Sequence, residues 1–202
     1  IENNGKISMK SKIVRESELW EGVYYDEEMY SREEGLNAQN GSTAINNGFI
    51  IGEGSITGIE VKSGSRGENN GTIQLESLRQ DAEIVVDYGD YFVYLQDEKL
   101  GKVRGLRARG KDSIAINNKD IQLSGEAVGI QVDNEGKAIN NGTIQLVSQD
   151  IKTRGYVKGT EPYDWKYKEV GTTYSELIGM FAKTGTIENR EIGNISLLGS
   201  GY

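Results

Sequence analysis

The 202-residue sequence contains no cysteine, no histidine and only one proline. The absence of cysteine excludes disulfides, thiolate metal sites and a thiol nucleophile. The absence of histidine removes the commonest general base and metal ligand, so a Ser–His–Asp triad, a Cys–His pair and an HExxH zinc site are impossible within this chain. No apolar run approaches the roughly 20 residues that a membrane-spanning helix requires, and we expect no membrane insertion by this segment.

The chain has 31 acidic and 23 basic residues, which gives a net charge of −8. This excess of acid argues against general nucleic-acid binding, and we expect no nucleic-acid partner. Ile1 is not an initiator residue, and the sequence starts and stops within a repeated phrase. We therefore expect a fragment of a longer protein, with targeting segments that could lie outside it.

The most informative feature is a repeated phrase, clearest in residues 138–146 (AINNGTIQL) and again in 115–123 (AINNKDIQL). Further copies occupy residues 2–9, 44–50 and 68–75, with a weaker one at 193–197. Asn-Asn-Gly predicts a turn, because Asn and Gly tolerate positive φ. The alternating residues that follow predict a short strand with one buried face. A second phrase, in which glycine precedes an apolar, a variable and a small apolar residue, predicts another strand. It begins at Gly35, Gly58, Gly105, Gly129 and Gly179.

The repeat spacing predicts the architecture. Asn46 and Asn69 are 23 residues apart, as are Asn117 and Asn140. A coil of this length, with a third short strand leading back to the turn, is typical of a parallel β-helix rung, so we predict an all-β solenoid with three strands and about 23 residues per rung. Neighbouring rungs pair in parallel at roughly 4.8 Å, so equal positions stack. The four asparagines should then form a hydrogen-bonded ladder along one corner.

Insertions lengthen alternate rungs, always between the first and second strands. We predict one β-helix fragment over residues 1–202, with insertions at 10–34, 76–104 and 147–178. Because all of them leave the same corner two rungs apart, their roots should lie roughly 10 Å apart and the insertions should pack side by side. The second insertion has the pattern of a β-hairpin, and the third that of a hairpin or a long loop. Within the first, residues 26–34 are the best candidate for a short helix.

The insertions hold 13 of the chain's 16 aromatic residues, and insertions in solenoids often form the binding face. Tyrosine and tryptophan offer flat contact area at low entropic cost, so these rings could recognise a protein or a sugar. The alternative is that the rings form small cores within and between the insertions. The candidate binding residues are Trp20, Tyr24, Tyr25, Tyr88, Tyr91, Tyr163, Trp165 and Tyr167.

A basic run lies at the end of the second insertion and beyond it. Its candidate residues are Lys102, Arg104, Arg107 and Arg109. The run could bind an anionic glycan or an acidic partner, or it could compensate the acidic residues of the second insertion.

Some β-helix enzymes cleave polysaccharides with carboxylates alone, which requires two or three acids converging on one face. The predicted outward row of the second strand contains one acid, Glu60, and no cluster, so we expect no catalytic residues. Four acids of the insertions could converge or bind calcium with backbone oxygens. These are Asp87, Asp90, Glu161 and Asp164. We nevertheless expect no metal and no cofactor.

The AINNGTI phrase, the glycine-led strands and the absence of cysteine resemble passenger domains of type V autotransporters. The AINNGTI phrase is most similar to the very large fusobacterial autotransporter adhesins. The resemblance covers the rung segments, and it implies a right-handed β-helix stalk that is exported through an outer-membrane barrel outside this chain. It also implies an extracellular position on the bacterial surface, where the stalk displays adhesive loops. Because these adhesins lack a fixed binding motif, the resemblance assigns no site residue.

We therefore expect a monomeric, non-enzymatic segment of a surface adhesin. Its insertions should bind a host-cell or bacterial surface protein or glycan. One alternative is a structural β-helix stalk segment with no ligand of its own. Another is a polysaccharide-degrading β-helix enzyme.

Overall fold

The computed structural model describes residues 1–20, 23–87, 92–158 and 165–199. Within these ranges it defines only the backbone of 13–20, 23–30, 80–87, 92–99, 153–158 and 165–170. The described residues contain no helix long and apolar enough to cross a membrane.

The strands wind through successive rungs of a coil. The first rung and its insertion comprise β1 (Glu2–Asn3), β2 (Lys6–Lys10), β3 (Ile13–Trp20), β4 (Val23–Tyr30) and β5 (Arg32–Ala38). The second rung comprises β6 (Thr43–Asn46), β7 (Phe49–Glu53) and β8 (Ser55–Lys62). The third comprises β9 (Arg66–Asn69), β10 (Thr72–Glu76), β11 (Arg79–Asp87), β12 (Phe92–Leu100) and β13 (Val103–Arg109). The fourth comprises β14 (Ile114–Asn117), β15 (Asp120–Ser124) and β16 (Ala127–Asp133). The last two comprise β17 (Gly136–Asn140), β18 (Thr143–Val147), β19 (Asp150–Lys158), β20 (Trp165–Tyr174), β21 (Leu177–Ala182), β22 (Gly185–Asn189) and β23 (Asn194–Leu198).

Equivalent strands of successive rungs pair in parallel and form three sheets. Sheet A has the order β1-β6-β9-β14-β17-β22, sheet B the order β2-β7-β10-β15-β18-β23, and sheet C the order β5-β8-β13-β16-β21. The register aligns the repeated phrases, with Asn46 opposite Asn69 and Ile73 opposite Ile121. The predicted fold class, an all-β right-handed parallel β-helix, is therefore confirmed.

The core lies between the three sheets and is built from the alternating apolar positions of the repeat. In β10, Ile73 and Leu75 are buried whereas Gln74 between them is exposed. Ile121 and Leu123 of β15 stand in register with them and are buried in the same way. Full burial of an isoleucine or leucine contributes about 1.5–3 kcal/mol, and every rung adds such residues to one continuous stack.

A column of glycines explains the second repeated phrase. A Cβ atom on Gly105 would lie 2.5 Å from the carbonyl oxygen of Gly129 and 2.6 Å from Cγ2 of Ile121. The same close approach to the next rung's carbonyl oxygen occurs at Gly35, Gly58 and Gly129. Glycine is therefore required at this point because the backbones of neighbouring rungs leave no room for a side chain.

The predicted asparagine positions form a ladder inside one corner of the coil. Asn46 Nδ2 donates to Asn69 Oδ1 at 2.8 Å, Asn69 donates to Asn117 at 2.9 Å, and Asn117 donates to Asn140 at 2.8 Å. All four residues are fully buried. Buried amides need such partners, because an unsatisfied polar group is costly in a core.

This inner ladder continues to Asn3 at one end and Asn189 at the other. A second, outer ladder follows the next residue of each turn and was not predicted. Its members are Asn4, Asn47, Asn70, Asn118 and Asn141. The outer amides donate in the reverse direction, so Asn70 donates back to Asn47 at 3.1 Å.

The three insertions join into a fourth sheet, called the hairpin sheet, with the strand order β3-β4-β11-β12-β19-β20. Its neighbouring strands are antiparallel throughout. Successive hairpins begin two rungs apart, roughly 10 Å along the coil, which equals the width of a two-stranded hairpin. The plain rung between two insertions therefore supplies the spacing at which their hairpins can pair. The expected side-by-side packing takes the form of backbone hydrogen bonding.

The helix expected over residues 26–34 is wrong. Residues 26–30 belong to β4, and residues 32–34 belong to β5. β4 pairs with β3 on one side and with β11 on the other, where Tyr25 lies opposite Ile84. Pairing with two neighbouring strands outweighs the local helix preference of the acidic run. The second and third insertions are hairpins, as their turn and strand patterns predict.

Candidate functional site: the hairpin sheet and its groove

Each hairpin leaves the β-helix through a short hydrogen-bonded base. In the first, Ser31 Oγ accepts from the Lys12 amide at 2.9 Å, and the Ser31 amide donates to the Lys12 carbonyl oxygen at 2.9 Å. In the third, Ser175 and Gln149 make the same two contacts at 2.8 and 2.9 Å. A small hydroxyl can accept a backbone hydrogen bond without filling the narrow base, so these serines fix where the hairpins emerge.

The bases of the second and third hairpins are also joined by charge. The Arg79 guanidinium contacts the Asp150 carboxylate. This hydrogen bond from Arg79 holds the pKa of Asp150 below its ordinary value. Because Arg79 begins β11 and Asp150 begins β19, the ion pair ties one hairpin to the next.

The predicted aromatic binding residues belong to the insertions that form this sheet. Tyr88, Tyr91 and Tyr163 lie outside the described residues. The others lie at backbone positions of the hairpin sheet, with Trp20 in β3, Tyr24 and Tyr25 in β4, and Trp165 and Tyr167 in β20. The register places Tyr24 opposite Val85, and Val85 opposite Tyr94, in one row across three strands.

A groove of about 650 Å³ lies on the outer surface of sheet B. One outward row follows it across five rungs in direct register. This row consists of Ser8, Ile51, Gln74, Gln122 and Gln145. At roughly 4.8 Å per rung the row is about 19 Å long. Its three glutamines are exposed, so they present side-chain amides that can both donate and accept hydrogen bonds.

A second outward row borders the hairpin side of the groove and contains its charged groups. Lys10 Nζ lies 3.5 Å from Glu53 Oε2. Gln149 Nε2 donates to Glu76 Oε1 at 3.1 Å and to Ser124 Oγ at 3.0 Å. The hairpin strands begin within three residues of this row, since β10 ends at Glu76 and β11 begins at Arg79. The groove and the hairpin sheet are therefore neighbouring parts of one surface.

The predicted basic patch lies on the outer surface of sheet C, around a buried acid. Glu60 is 2% exposed. Its carboxylate lies 2.6 Å from Lys62 Nζ and 3.5 Å from both Arg107 Nη1 and Arg109 Nη1. Arg107 also contacts Asp133 at 2.8 Å. These arginines therefore contact acidic residues of the rungs.

The remaining members of the patch have partners on the same sheet. Lys102 Nζ lies 3.2 Å from Glu126 Oε1, and Arg104 Nε donates to Gln131 Oε1 at 2.7 Å. Burial, together with the positive charge of Arg107, lowers the pKa of Arg104. All four basic residues of the patch therefore contact neighbouring side chains of sheet C or its flanking turns.

Two carboxyl groups on this surface, those of Glu34 and Glu60, are hydrogen bonded to each other, and their pKa values shift in opposite directions. The hydrogen bond with Glu60, followed by burial, raises the pKa of Glu34. Burial alone would raise the pKa of Glu60, but hydrogen bonds with Glu34 and Lys62 and the charge of Arg107 outweigh it, so that pKa is lowered. Asp133 behaves likewise, because contacts with Gln131 and Arg107 outweigh its burial. Of the two carboxyl groups, Glu34 is therefore the one that binds a proton first as the pH falls.

Sequence reasoning missed both the groove and the Glu34–Glu60 pair. The groove had a visible signal, since the variable position between two buried residues is glutamine in three copies of the repeat. Glu34 had none, because it was assigned to an insertion and not to a strand.

The calcium alternative concerns acids that are largely outside the described residues. Asp90, Glu161 and Asp164 lie there, and Asp87 is the last residue of β11. The part of the chain that the structure describes contains no group of three or more acidic side chains that could hold a metal.

Residues 51–159, just over half of the chain, match the family model described as BigA third pectate lyase-like domain. The chain belongs to this family of pectate lyase-like β-helices, which fits a fragment of a surface protein. No curated protein and no solved structure matches it significantly.

Proposed function

We propose that this member of the BigA third pectate lyase-like domain family is the ligand-binding part of a bacterial autotransporter adhesin. It lies on the cell surface as part of a passenger exported through an outer-membrane barrel. Its hairpin sheet and the adjoining groove contact a protein or glycan on a host cell or another bacterium.

The observation that carries this proposal is the union of three insertions in one six-stranded sheet beside the groove. A single hairpin is at best marginally stable in water, whereas three or more paired strands are stable enough to present a surface. The core cluster of the β-helix consists of rung residues, so the described core does not draw on the hairpins. A large sheet that does not contribute to the described core of the β-helix is well suited to present a binding surface.

We infer that this surface binds without catalysis. The outward row of the groove consists of amide, hydroxyl and aliphatic side chains, and the bordering carboxylates Glu53 and Glu76 are engaged by Lys10 and Gln149. Amides in a shallow groove suit the hydroxyl groups of a sugar or the backbone of a peptide. They supply no proton donor of the kind that glycoside cleavage needs.

The test compares binding to host cells, to bacteria and to a glycan array. One variant replaces residues 13–30, 79–100 and 150–174 with short Gly-Ser links, and a second carries Gln74→Ala, Gln122→Ala and Gln145→Ala. A matched control carries Thr43→Ala, Glu68→Ala and Thr186→Ala on sheet A, away from the groove. Circular dichroism must show that all variants fold as β proteins.

We expect the wild type and the control to bind, the hairpin variant to lose binding, and the groove variant to bind at least tenfold more weakly. Equal binding by the wild type and the hairpin variant would overturn the role of the hairpin sheet. Absence of binding by every version would favour a structural stalk segment. Release of shorter saccharides from a bound polysaccharide would favour the enzyme alternative.

A further inference from the structure

The asparagines of the turns carry an inference about covalent modification. We propose that Asn40 is a site of spontaneous deamidation in the folded protein, and that the outer asparagine ladder protects the other Asn–Gly pairs of the chain from the same reaction. This inference goes beyond the proposed function and does not depend on it.

Deamidation begins when the backbone nitrogen of the following residue attacks Cγ of the asparagine side chain. A C–N bond forms, the bond between Cγ and Nδ2 breaks, and Nδ2 leaves as ammonia with the proton of the backbone amide. Water then opens the resulting succinimide ring at either carbonyl group and gives aspartate or isoaspartate. Glycine is the most favourable following residue, because it has no side chain to obstruct the attack. The chain has five Asn–Gly pairs, which begin at Asn4, Asn40, Asn47, Asn70 and Asn141.

Four of these pairs lie in the stacked turns, where the outer ladder holds the asparagine side chains. Asn47 Nδ2 donates to Asn4 Oδ1 at 2.9 Å, and Asn70 Nδ2 donates to Asn47 Oδ1 at 3.1 Å. Asn118 Nδ2 donates to Asn70 Oδ1, and Asn141 Nδ2 donates to Asn118 Oδ1, both at 2.8 Å. Each of these side chains must break at least one hydrogen bond before its Cγ atom can turn toward the next backbone nitrogen.

The glycines of three ladder pairs are also tightly packed between rungs. A Cβ atom on Gly48, Gly71 or Gly142 would lie 2.0 Å from a carbonyl oxygen of the preceding rung. On either side of Gly142, the backbone amides of Asn141 and Thr143 donate to the preceding rung at 2.7 and 2.8 Å. The glycine nitrogen is therefore fixed by its surroundings, and the attack requires local opening of the turn.

Asn40 lies outside the ladder, in the turn between β5 and β6. Its side chain is exposed and has no hydrogen-bond partner among the described residues. A Cβ atom on Gly41 would meet nothing within 4 Å, and one backbone hydrogen bond, from the Gly41 amide to the Ser63 carbonyl oxygen at 3.1 Å, has to open before the attack. Asn47 and Asn70 are exposed as well. Hydrogen bonding and packing, and not exposure, therefore distinguish Asn40 from the ladder.

Ageing of the folded protein at mildly alkaline pH, followed by peptide mass spectrometry with isoaspartate detection, tests the proposal. We expect conversion of Asn40 to be at least tenfold faster than that of Asn47, Asn70 or Asn141. Ion-exchange chromatography should show a more acidic form of the wild type that Asn40→Gln does not give. In urea all four sites should convert at similar rates, because unfolding removes the protection. Equal rates in the folded protein, or conversion of Asn40 in urea only, would overturn the proposal.

A second test removes one ladder contact. Asn118→Ala takes away the acceptor of Asn141 Nδ2 and should accelerate conversion of Asn141 severalfold. Asn40 and Asn47 make no hydrogen bond to Asn118 in the described chain, so their rates should not change, which also shows that the variant remains folded. Lys137→Ala, an exposed substitution on sheet A, is the matched control and should leave every rate unchanged. An unchanged rate at Asn141 in Asn118→Ala would refute protection by the ladder.

Discussion

The inner asparagine ladder should contribute far more to stability than the outer one, and two adjacent residues make this measurable. Asn117 is fully buried, donates to Asn140 Oδ1 at 2.8 Å and to the Lys119 carbonyl oxygen at 3.0 Å, and accepts from Asn69 at 2.9 Å. Asn118 is exposed and makes two equivalent ladder contacts at 2.8 Å. The substitutions Asn117→Ala and Asn118→Ala therefore remove the same side-chain atoms from two environments.

The buried substitution removes three hydrogen bonds of 3.0 Å or shorter where water cannot replace them, together with two weaker contacts of 3.4 Å to the Thr143 carbonyl oxygen and from the Lys119 amide. Its ladder neighbours keep one backbone partner each, at 3.2 Å for Asn69 Nδ2 and 3.3 Å for Asn140 Oδ1, which limits the damage. With roughly 1 kcal/mol for each lost bond, Asn117→Ala should lower the free energy of unfolding by about 3 kcal/mol. Asn118→Ala should lower it by about 0.5 kcal/mol or less, because water takes over its contacts.

Urea denaturation followed by far-UV circular dichroism measures both values under the same conditions. Similar m-values for the wild type and both variants would show that the same surface is exposed on unfolding. A loss for Asn118→Ala as large as that for Asn117→Ala would refute the reasoning. So would a loss below about 1 kcal/mol for the buried substitution.

Four further predictions concern the glycine column, the two paired carboxyls and the plain rungs. Gly105→Ala should lower the free energy of unfolding, measured by thermal denaturation, by about 2–3 kcal/mol, because its Cβ atom would lie 2.5 Å from a carbonyl oxygen. Gly5→Ala is the control and should leave stability nearly unchanged, because its Cβ atom would meet nothing within 4 Å. Glu60→Gln should lower the free energy of unfolding by about 2 kcal/mol at pH 7. This loss should shrink as the pH falls below about 4, because a lowered pKa means that Glu60 stabilises the fold only while it is ionised. Glu34→Gln should gain stability relative to the wild type as the pH rises above about 4, because a raised pKa stabilises the fold in acid and that contribution is lost when Glu34 ionises. Deletion of residues 47–69 should leave a folded β-helix whose first two hairpins no longer pair, which hydrogen exchange in β4 and β11 would detect.

The predictions for Glu60 and for the plain rung each have a specific contrary result. If the loss of stability in Glu60→Gln did not change with pH, ionisation of Glu60 would not be what stabilises the fold. For the rung deletion, the control is removal of residues 47–117, which takes out two rungs together with β11 and β12 and leaves the first and third hairpins two rungs apart, so that hydrogen exchange in β4 can be compared. If the single-rung deletion protected its hairpins from exchange as well as this control, the spacing explanation would be wrong.

The fold could be predicted from the sequence because the repeat specifies it many times over. Each rung carries the same turn, the same buried pair and the same glycine, so an error in one copy is corrected by the others. The inner ladder followed from the position of Asn46 and its equivalents. The outer ladder could have been predicted from the second asparagine of the same turn, but only the first was followed.

The insertions were less predictable because their structure depends on each other. The acidic run of residues 26–34 has no strong strand pattern, and it becomes β4 and β5 because β11 pairs with β4 and β8 pairs with β5. Glu34 was hidden by the same error, since it was assigned to an insertion. The contacts of Arg107 with Glu60 and Asp133 depend on the register between rungs, which places outward residues of neighbouring strands side by side. Side-chain roles of the aromatic residues stay predictions.

The opposite directions of the two asparagine ladders give the coil a property that an α-helix lacks. In an α-helix the aligned peptide dipoles add up, so a longer helix has charged ends that need capping. In this coil the amides of the inner ladder donate toward the last rung, whereas those of the outer ladder donate toward the first. Their dipoles therefore oppose each other, and added rungs bring no growing axial field.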